Sequence, residues 1–190
     1  VVGRHPADYF PHLLVARAWS SADPARPDRT LAWAGRAMYL NVARPAPHRL
    51  AAGALRELRR PGQARIEYRL AFERGDRDAL REAVRLYARP ESLLELVPDE
   101  PRALVALADE LLALRRVDEA EAVALAAQQR HGESIETLGR LARVGTARRD
   151  AAAVFGFGER MSALEPGNPV GLNTRVNARV MGGEDRKSVV

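Results

Sequence analysis

Histidine is the side chain best suited to acid–base catalysis or metal binding near neutral pH, and this sequence holds four of them. His5, Asp8 and His12 could share one N-terminal helix, at a spacing that metal-binding helices use. Pro11 interrupts that stretch, however, and no further ligand is evident. His12 and His48 occupy matching positions of two similar segments, which is typical of packing residues. The sequence therefore predicts no metal site and no catalytic histidine.

Other residues that could carry chemistry also have structural explanations. The sequence contains no cysteine, which excludes disulfides and thiol catalysis. Gly156-Phe157-Gly158 lacks the residues that complete a phosphate-binding loop, so helix packing or a kink explains it better. Asp99-Glu100 and Asp118-Glu119 stand where helices are predicted to begin, and carboxylates there favour the helix dipole. We therefore expect no catalytic site, no cofactor and no enzyme activity.

The composition favours closely packed helices. Hydrophobic residues make up 46% of the 190 residues but aromatic ones only 5%, and alanine and leucine supply much of the apolar content. The net charge of +5 comes from 30 basic and 25 acidic residues, a mixed surface that argues against nucleic-acid binding. No apolar run approaches the roughly 20 residues that span a bilayer.

The most regular stretch, residues 47–75, predicts two short helices folded against each other. The first places His48, Ala51, Ala52 and Leu55 on one face, and the second has a matching apolar face. Small residues allow close approach of two backbones, and larger ones fill the gaps beside them. Arg60-Pro61-Gly62 is the predicted corner. The second helix carries three residues at the predicted contact: Ala64, Tyr68 and Ala71.

The same pattern recurs along the chain. His12, Val15, Ala16 and Trp19 match the first helix, and Thr30, Ala34 and Ala37 match the second, with the ring moved to Trp33. Ala37 and Ala71 are 34 residues apart, and the pattern resembles the tetratricopeptide repeat, which has this period. The resemblance implies an all-α, right-handed solenoid of stacked antiparallel helix pairs. We expect about five pairs, with an irregular third between residues 76 and 98.

The predicted repeat domain covers residues 1–181 of what we expect to be a fragment of a longer protein. Gly182-Gly183 is expected to break the last helix, leaving a disordered tail over residues 182–190. Residues 185–190 read like the translation of a sequencing adapter, and Lys187 is the sole lysine in an arginine-rich chain.

Tetratricopeptide arrays hold peptides or partner helices on a concave face lined by the first helix of each pair. This resemblance implies a groove for a protein or peptide partner, and the arginines at its inward positions make it weakly basic, which would suit an acidic partner. The asparagines and lysine of the carboxylate-clamp subtype are missing at the inward positions. The predicted groove residues are five arginines: Arg17, Arg49, Arg56, Arg140 and Arg143.

The leading hypothesis is therefore a non-catalytic interaction scaffold, and two alternatives stay open. Pro6 to Tyr9 and Glu67 to Ala71 resemble segments of the soluble repeat regions that follow membrane O-antigen polymerase or ligase domains. Consecutive apolar spans upstream of Val1 would favour that alternative. Arginine-rich helices also permit a helical-repeat nucleic-acid binder, whose affinity would depend steeply on salt.

Overall fold

The computed structural model describes residues 7–187, and every regular element within this range is an α-helix. Contacts divide the chain into two compact units, one reaching Pro98 (unit 1) and one starting at Asp99 (unit 2). The helices of unit 1 are α1 (Tyr9–Ser20), α2 (Pro27–Leu40), α3 (Pro45–Glu57), α4 (Pro61–Glu73), α5 (Arg77–Leu86) and α6 (Pro90–Leu94). Those of unit 2 are α7 (Pro101–Ala113), α8 (Val117–His131), α9 (Ile135–Ala147), α10 (Ala151–Leu164) and α11 (Pro169–Lys187).

Unit 1 is built on alanine contacts between helices. Helix α1 packs on α2, α3 packs on α4, and α2 and α3 join the two pairs. Ala16, Ala34 and Ala51 form one fully buried cluster, against which Trp33 packs. Small side chains at these crossings let the backbones approach closely, as the sequence predicted. The predicted contact residues of α4, Ala64, Tyr68 and Ala71, are all buried.

Tyr68 fills the space between the second and third pairs. Its side chain is 1% exposed, and its hydroxyl donates a hydrogen bond to Glu82 of α5 at 2.7 Å. Burial raises the pKa of Tyr68, and the bond to Glu82 raises it further. The ring therefore contributes both apolar burial and a satisfied polar contact.

The third pair is irregular, as predicted. Helix α5 has ten residues and begins at the N-cap Asp76, whose side chain accepts a hydrogen bond from the backbone N–H of Ala79. Helix α6 has only five residues, because Pro90 starts it and Pro98 closes the unit soon afterwards. Leu93 of α6 and Leu96 just after it are nevertheless buried.

Unit 2 contains two full pairs followed by a last helix. Helix α7 packs on α8, α9 packs on α10, and α11 packs on α10. Leu138, Ala142 and Met161 form the buried cluster of the second of these pairs. Ser134 begins α9 with a capping box, and the Asn168 side chain accepts a hydrogen bond from the first turn of α11. The prediction of an all-α helical repeat with about five pairs is confirmed.

Three turns inside the pairs share one backbone conformation, and an arginine occupies the critical position in each. Arg59, Arg115 and Arg149 have φ angles of 58°, 60° and 59°, in the left-handed region that favours glycine. In each turn the next N–H donates to a carbonyl five residues earlier, the bond of a Schellman motif. We call these three residues the turn arginines. Their side chains are all exposed.

The predicted corner of the second pair is wrong. Pro61 is the first residue of α4 and Gly62 its second, while the chain reverses through Arg59 one step earlier. Proline suits the first position of a helix because its missing N–H would have no intrahelical partner there. The Pro-Gly dipeptide therefore begins a helix instead of forming the turn.

The Gly156-Phe157-Gly158 segment packs inside α10, which confirms the helix-packing interpretation. Gly158 is buried where α10 crosses α11, and an added Cβ would lie 3.0 Å from the carbonyl oxygen of Gly171. Gly171 is its counterpart, because a Cβ there would lie 3.0 Å from the carbonyl oxygen of Gly158. The two glycines allow this close crossing.

Helix α11 continues to Lys187, past the end predicted at Met181. The Gly182-Gly183 pair does not end the helix, because glycine lowers helix stability by only about 1 kcal/mol and does not remove a backbone donor as proline does. The last three residues of the predicted tail, 188–190, lie outside the described residues. The single repeat domain over residues 1–181 and the adapter origin of residues 185–190 stay predictions.

Candidate partner-binding face

Two of the five predicted groove arginines meet on one carboxylate in unit 2. Arg140 and Arg143 lie three positions apart on α9 and therefore share a helix face. Arg140 donates to both carboxylate oxygens of Asp109 on α7, with its Nε at 3.2 Å and an Nη at 2.7 Å. Arg143 donates to the same carboxylate at 2.5 Å. The cluster bridges the first helices of two consecutive pairs.

This cluster is half exposed and carries more positive than negative charge. The side chain of Asp109 is 33% exposed, that of Arg140 is 25% exposed and that of Arg143 is 57% exposed. Arg140 also donates to the carbonyl of Glu136, so most of its N–H groups are engaged. Arg143 uses one Nη on Asp109, and more than half of its side chain is exposed. We call these three side chains the Asp109 cluster.

The repeat itself places these groups together. Asp109 and Arg143 are 34 residues apart, one tetratricopeptide period, so they occupy equivalent positions of consecutive first helices. Helices α7 and α9 contact each other directly. Opposite charges at equivalent positions can therefore pair along the exposed side of the first helices. We call that side of α7 and α9 the first-helix face of unit 2.

The remaining three groove arginines belong to unit 1, where they have different environments. Arg49 of α3 pairs with Asp76 at 3.4 Å and with Asp78 at 3.9 Å, at the start of α5. Arg17 of α1 and Arg56 of α3 are exposed and make no ion pair within the part of the chain that the structure describes. The structure therefore ties Arg49 to the next pair and leaves Arg17 and Arg56 unneutralised.

Arg56 affects the ionisation of two tyrosines in unit 1. Burial raises the pKa of Tyr68 and the pKa of Tyr87, and the positive charge of Arg56 opposes part of both increases. The Tyr87 hydroxyl donates to the carbonyl of Pro61 at 2.8 Å. Arg56 thus acts on two tyrosines that are themselves held by hydrogen bonds.

Sequence reasoning missed a basic cleft at the C-terminal ends of α7 and α9. It measures about 560 Å³, and three of its seven lining residues are arginines. Two of these are turn arginines, and the third belongs to the Asp109 cluster. Three first helices are each followed by two consecutive arginines, and this feature can be seen in the sequence. Only the left-handed turns, however, bring arginines from two of these places to one cleft. The lining residues are Leu112, Ala113, Arg115, Arg143, Thr146, Ala147 and Arg149.

The histidines predicted to be packing residues lie in the core of unit 1. His12 and His48 are each 6% exposed, in line with their matching repeat positions. The His12 ring stacks obliquely on Trp33 with 5.4 Å between centroids. His48 Nδ1 is 2.7 Å from the Glu67 carboxylate, so this histidine links α3 to α4. These contacts confirm the packing role.

Within residues 7–187 the structure shows no group of histidine and carboxylate side chains that could hold a metal ion. The described helices include none with both the length and the apolar character of a bilayer span. The expectations of no enzyme activity and no cofactor stay predictions.

The architecture is an all-α helical repeat. Its consecutive helix pairs, small residues at the crossings and 34-residue period resemble those of the tetratricopeptide repeat. No protein-family model matches the sequence, and no curated protein matches it significantly.

Two solved structures align with nearly the whole chain. YrrB, described as a TPR protein with an unusual peptide-binding site, is 15% identical with a TM-score of 0.45, covering 92% of this chain and 95% of its own. Pseudomonas aeruginosa PilF is 15% identical with a TM-score of 0.37, covering 92% of this chain and 99% of its own.

Proposed function

We propose that this chain is a non-catalytic interaction scaffold that binds an acidic peptide or partner helix on the first-helix face of unit 2. The observation that carries the proposal is the Asp109 cluster, in which one carboxylate serves two guanidinium groups. This arrangement fixes Arg140 in place and leaves Arg143 exposed with donors available. A fixed arginine beside a free one suits carboxylate recognition, because guanidinium groups bind carboxylates through paired hydrogen bonds.

The ion pairs also explain how the face can be rigid before a partner arrives. Arg140 and Asp109 join α9 to α7 through two parallel bonds, which limits the side-chain freedom lost on binding. In unit 1, Arg17 and Arg56 supply exposed positive charge that would also attract an acidic partner, while Arg49 is held by Asp76. Exposed charges of this kind increase association rates and are screened within about 8 Å at physiological ionic strength.

The test is a selection of random peptides displayed against the immobilised chain, followed by fluorescence anisotropy with a selected peptide. We expect the selected peptides to be rich in Asp and Glu, and their affinity to fall as salt rises. Arg143→Gln should weaken binding about tenfold, the loss expected for one charge-assisted hydrogen bond. Arg130→Gln is the matched control, since Arg130 is an exposed arginine that also pairs with a single carboxylate, Asp99, but lies on the second helix α8, away from the first-helix face.

Equal effects of the two substitutions would contradict the proposed face, because they would show that only net charge matters. Selection of basic or uncharged peptides would contradict the proposed partner chemistry. The two alternatives, an O-antigen polymerase or ligase region and a nucleic-acid binder, stay predictions. Tight, sequence-independent binding to single-stranded oligonucleotides in the same assay would favour the second.

A further inference from the structure

The basic cleft of unit 2 joins charged and apolar surface in one open site. Its walls combine three guanidinium-bearing residues with Leu112 and two alanines. The volume of about 560 Å³ is within the range of small-ligand sites. Thr146 contributes mainly apolar surface, because its hydroxyl donates to the carbonyl of Ala142.

No acidic side chain is among the described residues that line the cleft. Arg115 and Arg149 form no ion pair within residues 7–187, and Arg143 shares its single carboxylate with Arg140. The neighbouring arginines behave differently: Arg148, for instance, pairs with Asp118 and Glu121 on α8. The cleft therefore gathers the positive charge that this part of unit 2 does not neutralise.

The repeat brings the two turn arginines to this site. Arg115 and Arg149 are one period apart, at equivalent turn positions after α7 and α9. Both hold a left-handed backbone conformation that glycine would adopt without steric cost. Such conformations in non-glycine residues tend to occur at functional sites. Arg59 has the same conformation in unit 1 and is absent from the cleft, which makes it a natural control.

We propose that this cleft binds the phosphoryl group of a phosphorylated peptide side chain. A phosphoryl group carries nearly two negative charges and three acceptor oxygens, which three guanidinium groups can engage together. A single carboxylate would leave most of those donors unused. The apolar wall of Leu112, Ala113 and Ala147 would hold the carbon atoms next to the phosphate. The inference rests on the proposed function, because Arg143 lies both in the cleft and on the first-helix face.

The experiment compares two short acidic peptides that differ only by one phosphoserine in place of serine. Titration calorimetry should show that the phosphorylated peptide binds at least about tenfold more tightly, the effect of one or more charge-assisted hydrogen bonds. Arg115→Gln and Arg149→Gln should each remove most of that preference. Arg59→Gln should leave it unchanged, because it removes the same charge from the same kind of turn outside the cleft.

A second measurement separates this inference from the proposed function. Inorganic phosphate is titrated into ¹⁵N-labelled protein, and the Nε–H resonances of Arg115, Arg143 and Arg149 should shift while that of Arg59 does not. If acidic peptides bind through Arg143 but phosphorylation changes nothing, the cleft assignment is overturned and the scaffold function stands. If phosphate shifts these resonances but no acidic peptide binds, the cleft assignment stands and the scaffold function fails.

Two further outcomes would overturn the cleft assignment. The first is a loss of phosphopeptide affinity in Arg59→Gln equal to that in Arg149→Gln, which would indicate general charge attraction. The second is tighter binding of single-stranded oligonucleotides than of phosphopeptides through the same arginines, which would identify a nucleic-acid backbone as the ligand.

Discussion

Two glycines in one helix should respond oppositely to the same substitution. Gly156 and Gly158 both lie in the interior of α10, two residues apart. A Cβ built on Gly156 meets nothing within 4 Å. A Cβ built on Gly158 lies 2.6 Å from Arg175 Cγ and 3.0 Å from both the Arg175 nitrogen and the Gly171 carbonyl oxygen of α11. The Arg175 side chain can move, but the two backbone atoms can move only with α11.

The magnitudes follow from two opposing terms. Alanine gains about 0.8–1 kcal/mol over glycine in a helix interior, and this gain applies at both positions. At Gly158 the added methyl group also overpacks the crossing, which costs about 1–3 kcal/mol. We therefore expect Gly156→Ala to raise the free energy of unfolding by up to about 1 kcal/mol. The free energy of unfolding of Gly158→Ala should be about 1–3 kcal/mol lower than that of Gly156→Ala.

The assay is urea and thermal denaturation followed by far-ultraviolet circular dichroism, together with hydrogen exchange of the α11 amides. In Gly158→Ala the amides of α11 should lose protection, because this helix must shift to accommodate the methyl group. Equal stability of the two variants, with unchanged exchange in α11, would refute the close crossing of α10 and α11.

Other substitutions test the remaining features of the fold. Ala64→Leu should destabilise by about 1–3 kcal/mol through overpacking between α3 and α4, measured by urea denaturation; a neutral result would contradict the repeat alignment. Tyr68→Ala should cost about 3–5 kcal/mol in the same measurement, since the ring is buried and its hydroxyl is bonded; a cost near zero would contradict that burial. Arg59→Gly should raise the thermal midpoint through a gain of about 0.5–1 kcal/mol, because glycine adopts the left-handed turn without strain; a lower midpoint would argue against that conformation. Hydrogen bonds from His131 and Arg130 lower the pKa of Asp99 below its usual 3.8. The ionised Asp99 therefore stabilises the fold above pH 3.8, and this contribution is lost as the pH falls through the lower pKa of the folded state. An acid unfolding profile that is unchanged in Asp99→Asn would show that the contribution is negligible.

The helix pairs were predictable because packing in a repeat depends on side-chain size at fixed spacing. Small residues occupy the positions where two helices cross closely, namely Ala52, Ala64 and Ala71. The larger Tyr68 occupies a position where a gap must be filled. The sequence displays that alternation directly. Gly75 and Gly132 follow second helices and have positive φ angles, the conformation for which glycine is the usual residue at a helix end.

The turns inside the pairs were not predictable in the same way. A left-handed residue is normally recognised as glycine, but this chain places an arginine there three times. The corner was predicted at Pro61-Gly62 because a glycine is normally expected in a turn, but both residues belong to α4. The basic cleft depends on two of these turns, Arg115 and Arg149, so it was hidden with them.

Three of the five predicted groove arginines are ion-paired in the structure. The pairing of Asp109 with Arg140 and Arg143 depends on the contact between α7 and α9. Arg49 likewise meets Asp76 only because α5 follows α4 closely. Opposite charges at equivalent positions one period apart are the sequence feature that could predict such ion pairs in other repeats.

The first-helix face of unit 2 is tested most directly by mapping where an acidic peptide binds. A selected acidic peptide is titrated into ¹⁵N-labelled protein, and the side-chain Nε–H and backbone amide resonances are followed. The account predicts shifts on α7 and α9, including Arg140 and Arg143, with no change at Arg130 of α8 or Arg160 of α10. Shifts concentrated on the second helices α8 and α10, with Arg140 and Arg143 unaffected, would contradict it.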